Sequence, residues 1–355
     1  MTKIDRLRES LNERNIDALL ITSEFNRRYM TNFTGSAGVV LISADKALFI
    51  TDFRYTEQAA EQAIGYDIIQ HKGPIHDEVA KQVQELGLKT VGFEKDYMTY
   101  DAFTTYQSAL SVEFVPVSGV VEKLRLIKTP EEIKIIKYAA DIAEATFKHI
   151  LDYIRPGLTE LDVSNEMEFF MRKQGATSSS FDTIVASGLR SAMPHGVASE
   201  KVIEKGDFVT LDFGAYYNGY ASDMTRTISV GEPSEKLKEI YGIVLQSQLM
   251  AVEQIKPGMT GKEADAISRD YITEKGYGDC FGHSLGHGIG LEVHEGPGLS
   301  FRSETTLEPG MIVTVEPGIY VPGVGGVRIE DDLVITEDGN DNLMHSSKEL
   351  IILPF

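Results

Sequence analysis

The stretch Gly206–Asp212 (GDFVTLD) returns 104 residues later as Gly310–Glu316 (GMIVTVE), and each copy ends in an acid. A second pair precedes it, since Ile154–Thr159 (IRPGLT) returns 101 residues later as Ile255–Thr260 (IKPGMT). Each copy of this second pair leads into a helical pattern, with Thr as a favoured N-cap. Two matches in the same order at nearly the same offset indicate a duplicated helix-plus-strand unit. Two copies are too few for a solenoid, so we predict one domain with an internal pseudo-twofold repeat.

Each copy of the strand continues into a predicted hairpin. An Asn-Gly step, a strong turn signal, lies near the midpoint between Asp212 and Asp223. A Pro-Gly step lies near the midpoint between Glu316 and Glu330. Each hairpin therefore carries one carboxylate on each arm, and we expect the two to lie close together across strands ~5 Å apart.

Four carboxylates gathered around a pseudo-twofold axis cannot all stay ionised in a semi-buried site without cations. Two divalent metals would balance their charge, and oxygen-rich ligand sets suit Mn²⁺, Mg²⁺ or Co²⁺. A single Asp or Glu is more often a solvated surface residue. Four acids at repeat-matched positions, each beside apolar strand residues, favour a metal site instead.

Histidine usage points to the same region. The chain has eight histidines, and four fall here: His195, His283, His287 and His294. The segment Gly282–Gly290 is dense in glycine, and we expect it to bring an imidazole and bare backbone close to a ligand. A group of this kind predicts a metal ligand and proton-transfer residues.

The flanking sequence predicts two domains. Residues 1–125 alternate helix and strand patterns, including an apolar run at Ile16–Ile21 and a hairpin of Gly38–Ser43 with Ala47–Thr51. The segment Thr129–Glu132 (TPEE) is a capping box with Pro at the first helical position. We therefore predict an α/β domain over residues 1–125 and a second domain over residues 126–355.

Composition narrows the class of protein. The 355 residues carry a net charge of −20, which disfavours nucleic acid and anionic membranes as partners. A lone Cys280 excludes a disulfide framework or a cysteine-built zinc site and fits a reducing compartment. No apolar run reaches the ~18 residues of a membrane span, and the start lacks a signal-peptide pattern. We expect a cytoplasmic protein.

One catalytic motif is interpreted as accidental. The segment Gly282–Gly286 (GHSLG) satisfies the nucleophile-elbow pattern of serine hydrolases. That pattern requires a strand before it and a helix after it. Neither is predicted here, so a serine hydrolase built on Ser284 is a remote alternative.

At these residues the sequence resembles the pita-bread metallopeptidases, the family of creatinase, aminopeptidase P and methionine aminopeptidase. The stretches Tyr29–Gly35 (YMTNFTG) and Thr51–Tyr55 (TDFRY) are similar to the extra N-terminal domain of the aminopeptidase P and prolidase branch. The resemblance implies an α+β chain. A C-terminal pita-bread domain with the internal repeat follows a smaller creatinase-like α/β domain.

The resemblance also implies roles for individual residues. Asp223 and Glu330 would bridge two divalent metals, Asp212 would bind one of them, and His287 and Glu316 the other. Glu316 matches the general base. His195 and His294 match imidazoles that assist substrate binding and catalysis, His283 matches a substrate-side position, and Arg328 matches a position beside the metal ligands.

The activity implied is hydrolysis of the Xaa-Pro bond at the amino end of dipeptides or short peptides, by a dipeptidase or an aminopeptidase P. Mn²⁺ is the metal we expect, with Co²⁺ or Zn²⁺ as alternatives, and the family suggests a homodimer. A methionine aminopeptidase-like enzyme and a non-catalytic binding protein on the same fold are the competing interpretations. Creatinase lacks the metal ligands, so their presence here disfavours it.

Overall fold

The computed structural model describes residues 1–355, and the chain forms two compact units, Met1–Arg125 and Leu126–Phe355. The first unit has six helices and six strands. In chain order they are α1 (Lys3–Arg14), β1 (Ala18–Ile21), α2 (Glu24–Thr31), β2 (Val39–Ser43), β3 (Ala47–Thr51), α3 (Thr56–Gln62), β4 (Asp67–Gln70), α4 (Ile75–Glu85), β5 (Thr90–Glu94), α5 (Tyr100–Ala109), β6 (Glu113–Val117) and α6 (Val120–Arg125).

A mixed six-stranded sheet forms the centre of the first unit, with strand order β4-β3-β2-β1-β5-β6. Strands β2 and β3 form the predicted antiparallel hairpin, in which Val40 lies opposite Phe49. Every residue of β1 is fully buried. A strand covered on both faces needs a continuous apolar run rather than alternation, which explains the composition of Ala18–Ile21.

The second unit has four helices and fourteen strands. In chain order they are α7 (Pro130–Tyr153), α8 (Glu160–Lys173), β7 (Ser178–Ser179), β8 (Ile184–Ser187), β9 (Phe208–Phe213), β10 (Ala215–Tyr217), β11 (Tyr220–Ala221), β12 (Met224–Val230), α9 (Glu235–Gln254), α10 (Gly261–Glu274), β13 (Gly286–Gly288), β14 (Glu295–Leu299), β15 (Ile312–Val315), β16 (Gly318–Val321), β17 (Gly325–Arg328), β18 (Asp331–Ile335), β19 (Asn340–Asn342) and β20 (Ile352–Leu353). Short 3₁₀ turns occupy Gly188–Ala192 and Gly278–Cys280.

Helix α7 begins at the predicted capping box. The Glu132 N–H donates to Thr129 Oγ1 at 3.2 Å, and the Thr129 N–H donates to Glu132 Oε2 at 2.8 Å. Apolar residues along one stripe of the helix, including Ile136, Ala143 and Ile150, are buried. Because this apolar stripe is buried, the helix packs against the core.

Corresponding parts of the two repeats make the same contacts. Helices α8 and α10 each begin with a threonine capping box. Ahead of α8, the Gly157 N–H donates to Ile203 O at 3.0 Å; ahead of α10, the Gly258 N–H donates to Leu307 O at 2.9 Å. Strand β9 follows the first helix and β15 the second, so the chain contains the predicted duplicated unit.

The repeats build separate sheets. The first contributes a four-stranded sheet of order β20-β12-β9-β8, and the second a five-stranded sheet of order β14-β13-β15-β18-β19. Strands β16 and β17 form a two-stranded ribbon, whose Ile319 and Val327 are buried in one cluster with Ile240 and Val244 of α9. Ile329 belongs to the same cluster, which turns the neighbouring Glu330 toward the other side of its strand. None of the helices has the length and apolar character needed to cross a membrane.

Candidate metal centre

The first hairpin carries its two acids on separate arms but not directly opposite one another. Its tip is a tight turn at Asn218 and Gly219, both of which have positive φ, 47° and 85°. Asp212 lies opposite Thr225, and Asp223 stands just before β12. The two acids of this hairpin are therefore diagonal neighbours on adjacent strands rather than a directly opposed pair.

The second hairpin matches the expectation more closely. Val315 lies opposite Asp331, and Gly318 lies opposite Arg328. Continuing either register inward places Glu316 opposite Glu330, between the two ladders. Glu316 and Glu330 lie where the two arms of the hairpin pass from the five-stranded sheet to the two-stranded ribbon. Their carboxylates therefore project from neighbouring positions.

Hydrogen bonds join the two hairpins at these acids. The Glu330 N–H donates to Thr225 O at 3.1 Å, and Thr225 Oγ1 donates to Glu330 Oε2 at 2.5 Å. The Asp223 N–H donates to Asp332 Oδ2 at 3.1 Å. The two repeats thus meet at their acidic positions, as a pseudo-twofold arrangement requires.

Three of the predicted ligands converge most tightly. Ligand atoms of Asp223, His287 and Glu330 all lie within 4.8 Å of one another. His287 Nε2 is also 3.3 Å from Glu316 Oε1 and 3.6 Å from Asp223 Oδ2. Asp212 joins the group through Arg328, which donates to Asp212 Oδ2. Three donors therefore converge, Glu316 adjoins them through His287, and Asp212 lines the same cavity.

Several buried carboxylate oxygens of this centre have no hydrogen-bond partner. Asp212 Oδ1, Asp223 Oδ1 and Glu330 Oε1 are buried without any hydrogen-bond partner. Burial, followed by the neighbouring carboxylates, raises the pKa of Asp223 and of Glu330 well above the usual range. Burial also raises the pKa of Glu316 to about 8. Buried carboxylates of this kind are costly unless they coordinate a cation, so the residues present fit a divalent metal centre.

The hydrogen bonding and the lowered pKa of His287 both suit a metal ligand. Its Nδ1 lies 3.1 Å from Gly288 O, so a proton on Nδ1 is directed to that carbonyl and Nε2 keeps its lone pair for a cation. Burial lowers the pKa of His287 to about 4. The ring is therefore neutral near pH 7, which is the form that binds metals.

A cavity of about 570 Å³ opens onto the centre. Every site residue predicted from the sequence lines it: His195, Asp212, Asp223, His283, His287, His294, Glu316, Arg328 and Glu330. The remaining wall includes the apolar side chains of Phe181, Ile184, Val197 and Val293. The wall of the cavity therefore contains both the candidate ligands and a set of apolar side chains.

The three remaining histidines occupy different places in this cavity. The His294 ring lies 4.3 Å from the His287 ring, centroid to centroid, and burial lowers the pKa of His294. His195 follows Pro194, whose carbonyl accepts a hydrogen bond from Arg328 Nη1 at 3.1 Å. His283 Nε2 lies 2.9 Å from the Tyr320 hydroxyl, and burial lowers the pKa of His283 to about 4.

Tyr320 and Thr225 are site residues that the sequence analysis missed. Tyr320 OH accepts a hydrogen bond from Arg328 Nη1 at 2.6 Å and so links Arg328 to His283. Arg328 Nε is 3.2 Å from Thr225 Oγ1, the hydroxyl that also contacts Glu330. Thr225 could have been found as the partner of Asp212 in the hairpin register, whereas the contact of Tyr320 with His283 has no sequence signal.

The glycine-dense segment brings His283, Gly286 and His287 to the cavity wall, and its glycines also serve the packing of a strand. Residues Gly286–Gly288 form β13, between β14 and β15. A Cβ on Gly286 would lie 1.9 Å from Thr314 O, and one on Gly288 would lie 2.0 Å from Gly296 O. These glycines let neighbouring backbones approach and so place His287. Ser284 follows a 3₁₀ turn and precedes a strand, so the strand-turn-helix context of a nucleophile elbow is missing.

Comparison with known sequence families places both parts of the chain. Residues 134–337 match "Metallopeptidase family M24", and residues 3–127 match "Creatinase/Prolidase N-terminal domain". Together the two matches cover most of the chain. The second match falls on the part that carries none of the candidate ligands.

Individual relatives are similar over nearly their whole length. The Xaa-Pro dipeptidase of Pyrococcus horikoshii is 44% identical over 352 residues, covering 98% of this chain and 98% of that protein. The solved structure of an Xaa-Pro dipeptidase from Bacillus anthracis is 70% identical, with a TM-score of 0.98 over 99% of both chains. The crystal structure of an X-Pro aminopeptidase from Thermotoga maritima is 42% identical, with a TM-score of 0.92 over 99% of both chains.

Proposed function

The chain belongs to metallopeptidase family M24, and from this premise we propose that it hydrolyses the Xaa-Pro bond at the amino end of dipeptides or short peptides. The fold class predicted from the sequence, a creatinase-type N-terminal domain before an M24 domain, is confirmed by the two family matches. The metallopeptidase class is confirmed with it. Substrate, metal number and residue roles are the proposal.

We place two divalent cations among the five donors Asp212, Asp223, His287, Glu316 and Glu330. The observation that carries this assignment is the set of buried carboxylate oxygens with no hydrogen-bond partner. One imidazole among four carboxylates is compatible with Mn²⁺, Co²⁺ or Zn²⁺, and we propose Mn²⁺ first because oxygen dominates the set.

The side chains of the cavity suit hydrolysis of an amide. Bound divalent cations would act as Lewis acids and make water more acidic. Glu316, held by Thr314 Oγ1 at 3.1 Å, would accept the proton of the attacking water. His195 and His294 would donate to the substrate and to the oxygen that gains charge. Arg328 would keep Asp212 oriented, because its guanidinium donates to that carboxylate.

Selectivity for proline is supported by the chemistry of the bond and by the cavity wall. The nitrogen of an Xaa-Pro bond has no N–H, and its ring is a compact apolar group. A site for this bond needs an apolar surface beside the metal centre rather than an acceptor for an N–H. Phe181, Ile184, Val197 and Val293 supply such a surface. Relatives named Xaa-Pro dipeptidase and X-Pro aminopeptidase agree with this chemistry.

A comparison of peptides tests the proposal. We expect cleavage of Ala-Pro and no comparable cleavage of Ala-Ala, because the second peptide lacks the proline ring. Cleavage of Ala-Pro-Ala at the first bond would assign an aminopeptidase P, and its resistance would assign a dipeptidase. Preference for Met-Ala-type peptides would contradict the proposal in favour of the methionine aminopeptidase-like alternative. Binding of proline peptides without turnover would favour the alternative of a non-catalytic binding protein on the same fold.

Subunit organisation is proposed from the family resemblance alone. We expect a homodimer, as the sequence analysis states. The five donors and the cavity that they line all belong to one chain.

A further inference from the structure

Arg226 is a fully buried arginine that contacts the backbone of a candidate ligand. Its side chain is 1% exposed. Nη1 donates to Glu330 O at 2.6 Å and to Thr225 O at 2.9 Å. Nη2 donates to Asp331 Oδ1 at 2.7 Å. Arg226 belongs to the first hairpin, and its guanidinium therefore binds the second hairpin at Glu330 and Asp331.

The C-terminal segment completes the coordination of this guanidinium. Arg226 Nε donates to Ser347 O at 3.1 Å, and Nη2 donates to Ser346 O at 3.1 Å. The side chain thus makes five hydrogen bonds, one for each of its N–H groups. A lysine has fewer donors and lacks the planar guanidinium, so it could not make the same five hydrogen bonds.

Asp331 is equally well satisfied. Its Oδ2 accepts from Gln248 Nε2 at 3.0 Å, from Asn342 Nδ2 at 2.8 Å and from Lys348 Nζ. With Arg226 on Oδ1, this fully buried carboxylate has partners on both oxygens. Asp223 and Glu330 instead each keep one buried oxygen without a hydrogen-bond partner, as does Asp332.

Every polar atom of Glu330 except Oε1 has a hydrogen-bond partner. Its carbonyl is bound by Arg226, its N–H by Thr225 O, and its Oε2 by Thr225 Oγ1. Only Oε1 has no partner. We propose that Arg226 and Asp331, with the C-terminal carbonyls of Ser346 and Ser347, are positioning residues that fix Glu330 for metal binding. This inference rests on the proposed metal centre.

Removal of the guanidinium is the direct test, with Co²⁺ as the probe. In the metal-depleted full-length protein, Arg226→Met should weaken Co²⁺ binding by about 10–100-fold, the usual cost of losing a group that orients a ligand. The visible absorption of bound Co²⁺ should also change, because Glu330 no longer has one orientation. Arg226→Lys keeps a buried positive charge but loses the fork, and should show a smaller change of the same kind.

The matched control is Arg27→Met in the first unit. Arg27 is also buried, and it donates to Gly38 O and Gly35 O at 2.9 and 3.0 Å, but none of the candidate ligands lies in that unit. This variant should lower the melting temperature and leave the Co²⁺ affinity and spectrum unchanged. If Arg226→Met does not fold, Arg226→Lys decides the question. A folded Arg226 variant with the wild-type affinity and spectrum overturns the inference, whereas wild-type protein that binds no Co²⁺ overturns the proposed function itself.

Discussion

Glu316 shows how a single candidate ligand responds to its surroundings. Burial raises the pKa of this carboxyl from its ordinary value of 4.5 to about 8, against the opposing influence of Arg328. A pKa that is higher in the folded state means that the folded protein holds the proton more tightly than the unfolded chain. The stabilising effect of that proton is present below about pH 4.5 and is lost as the pH rises toward 8.

Metal-free protein should therefore lose stability as the pH rises from about 5 to about 8. In the presence of a chelator, Glu316→Gln should lose less than the wild type over this interval, by an amount on the order of a few kcal/mol. Urea denaturation at several pH values measures the difference, since Asp223 and Glu330 remain in both proteins. Equal pH dependence of the two free energies of unfolding would show that Glu316 is not a buried carboxyl.

Individual ligands could be predicted from the sequence because each sits in a local pattern that repeats. Asp212 and Glu316 end matching strands, and a turn signal follows each of them. Thr225 and Asp332 escaped prediction because their contacts with Glu330 and Asp223 join the two repeats, and Tyr320 because its partner His283 lies 37 residues away along the chain. Their partners lie up to 109 residues away along the chain, as for Asp332 with the Asp223 N–H.

Strand β13 is the element on which the placement of His287 depends. It lies between β14 and β15, and its glycines allow both neighbours to approach closely. From the sequence the same glycines predicted a loop that brings an imidazole and bare backbone close to a ligand, and not a strand between two others. The packing of the strand could not be inferred, because the facing atoms, Thr314 O and Gly296 O, belong to segments that share no local signal with it.

A pair of glycine substitutions tests this interpretation of the element. Gly286→Ala should destabilise the protein by about 3 kcal/mol or more, because the added Cβ would lie 1.9 Å from a backbone oxygen of Thr314. Gly282→Ala, where a Cβ meets nothing within 4 Å, should change stability by less than about 1 kcal/mol. Both values come from urea denaturation of the metal-free proteins. Similar effects of the two substitutions would contradict the packing role of Gly286.

The two hairpins differ in a way that a sequence repeat does not reveal. The register of the second places Glu316 opposite Glu330, whereas the first has Asp212 opposite Thr225 and so offsets Asp223. Each arrangement is compatible with its own turn signal, Asn-Gly in the first hairpin and Pro-Gly in the second. The spacing between each acid and its turn therefore decides the geometry, and the repeat alone predicts only that the acids share a hairpin.

At the scale of the whole molecule, chemistry is concentrated in one of the two compact units. All candidate ligands lie within Leu126–Phe355, and the unit Met1–Arg125 carries none of them. The chain has a net charge of −20, and part of its acid content is buried at the centre of the larger unit rather than exposed. Bound cations would offset that local charge, which ties the stability of the fold to its loading with metal.

Hydrolysis of Ala-Pro by metal-stripped protein, with Mn²⁺ or Co²⁺ returned in measured steps, tests the central assignment most directly. We expect negligible turnover without metal and recovery that levels off at two ions per chain. Full-rate cleavage of Ala-Pro by protein shown to be free of metal would contradict it.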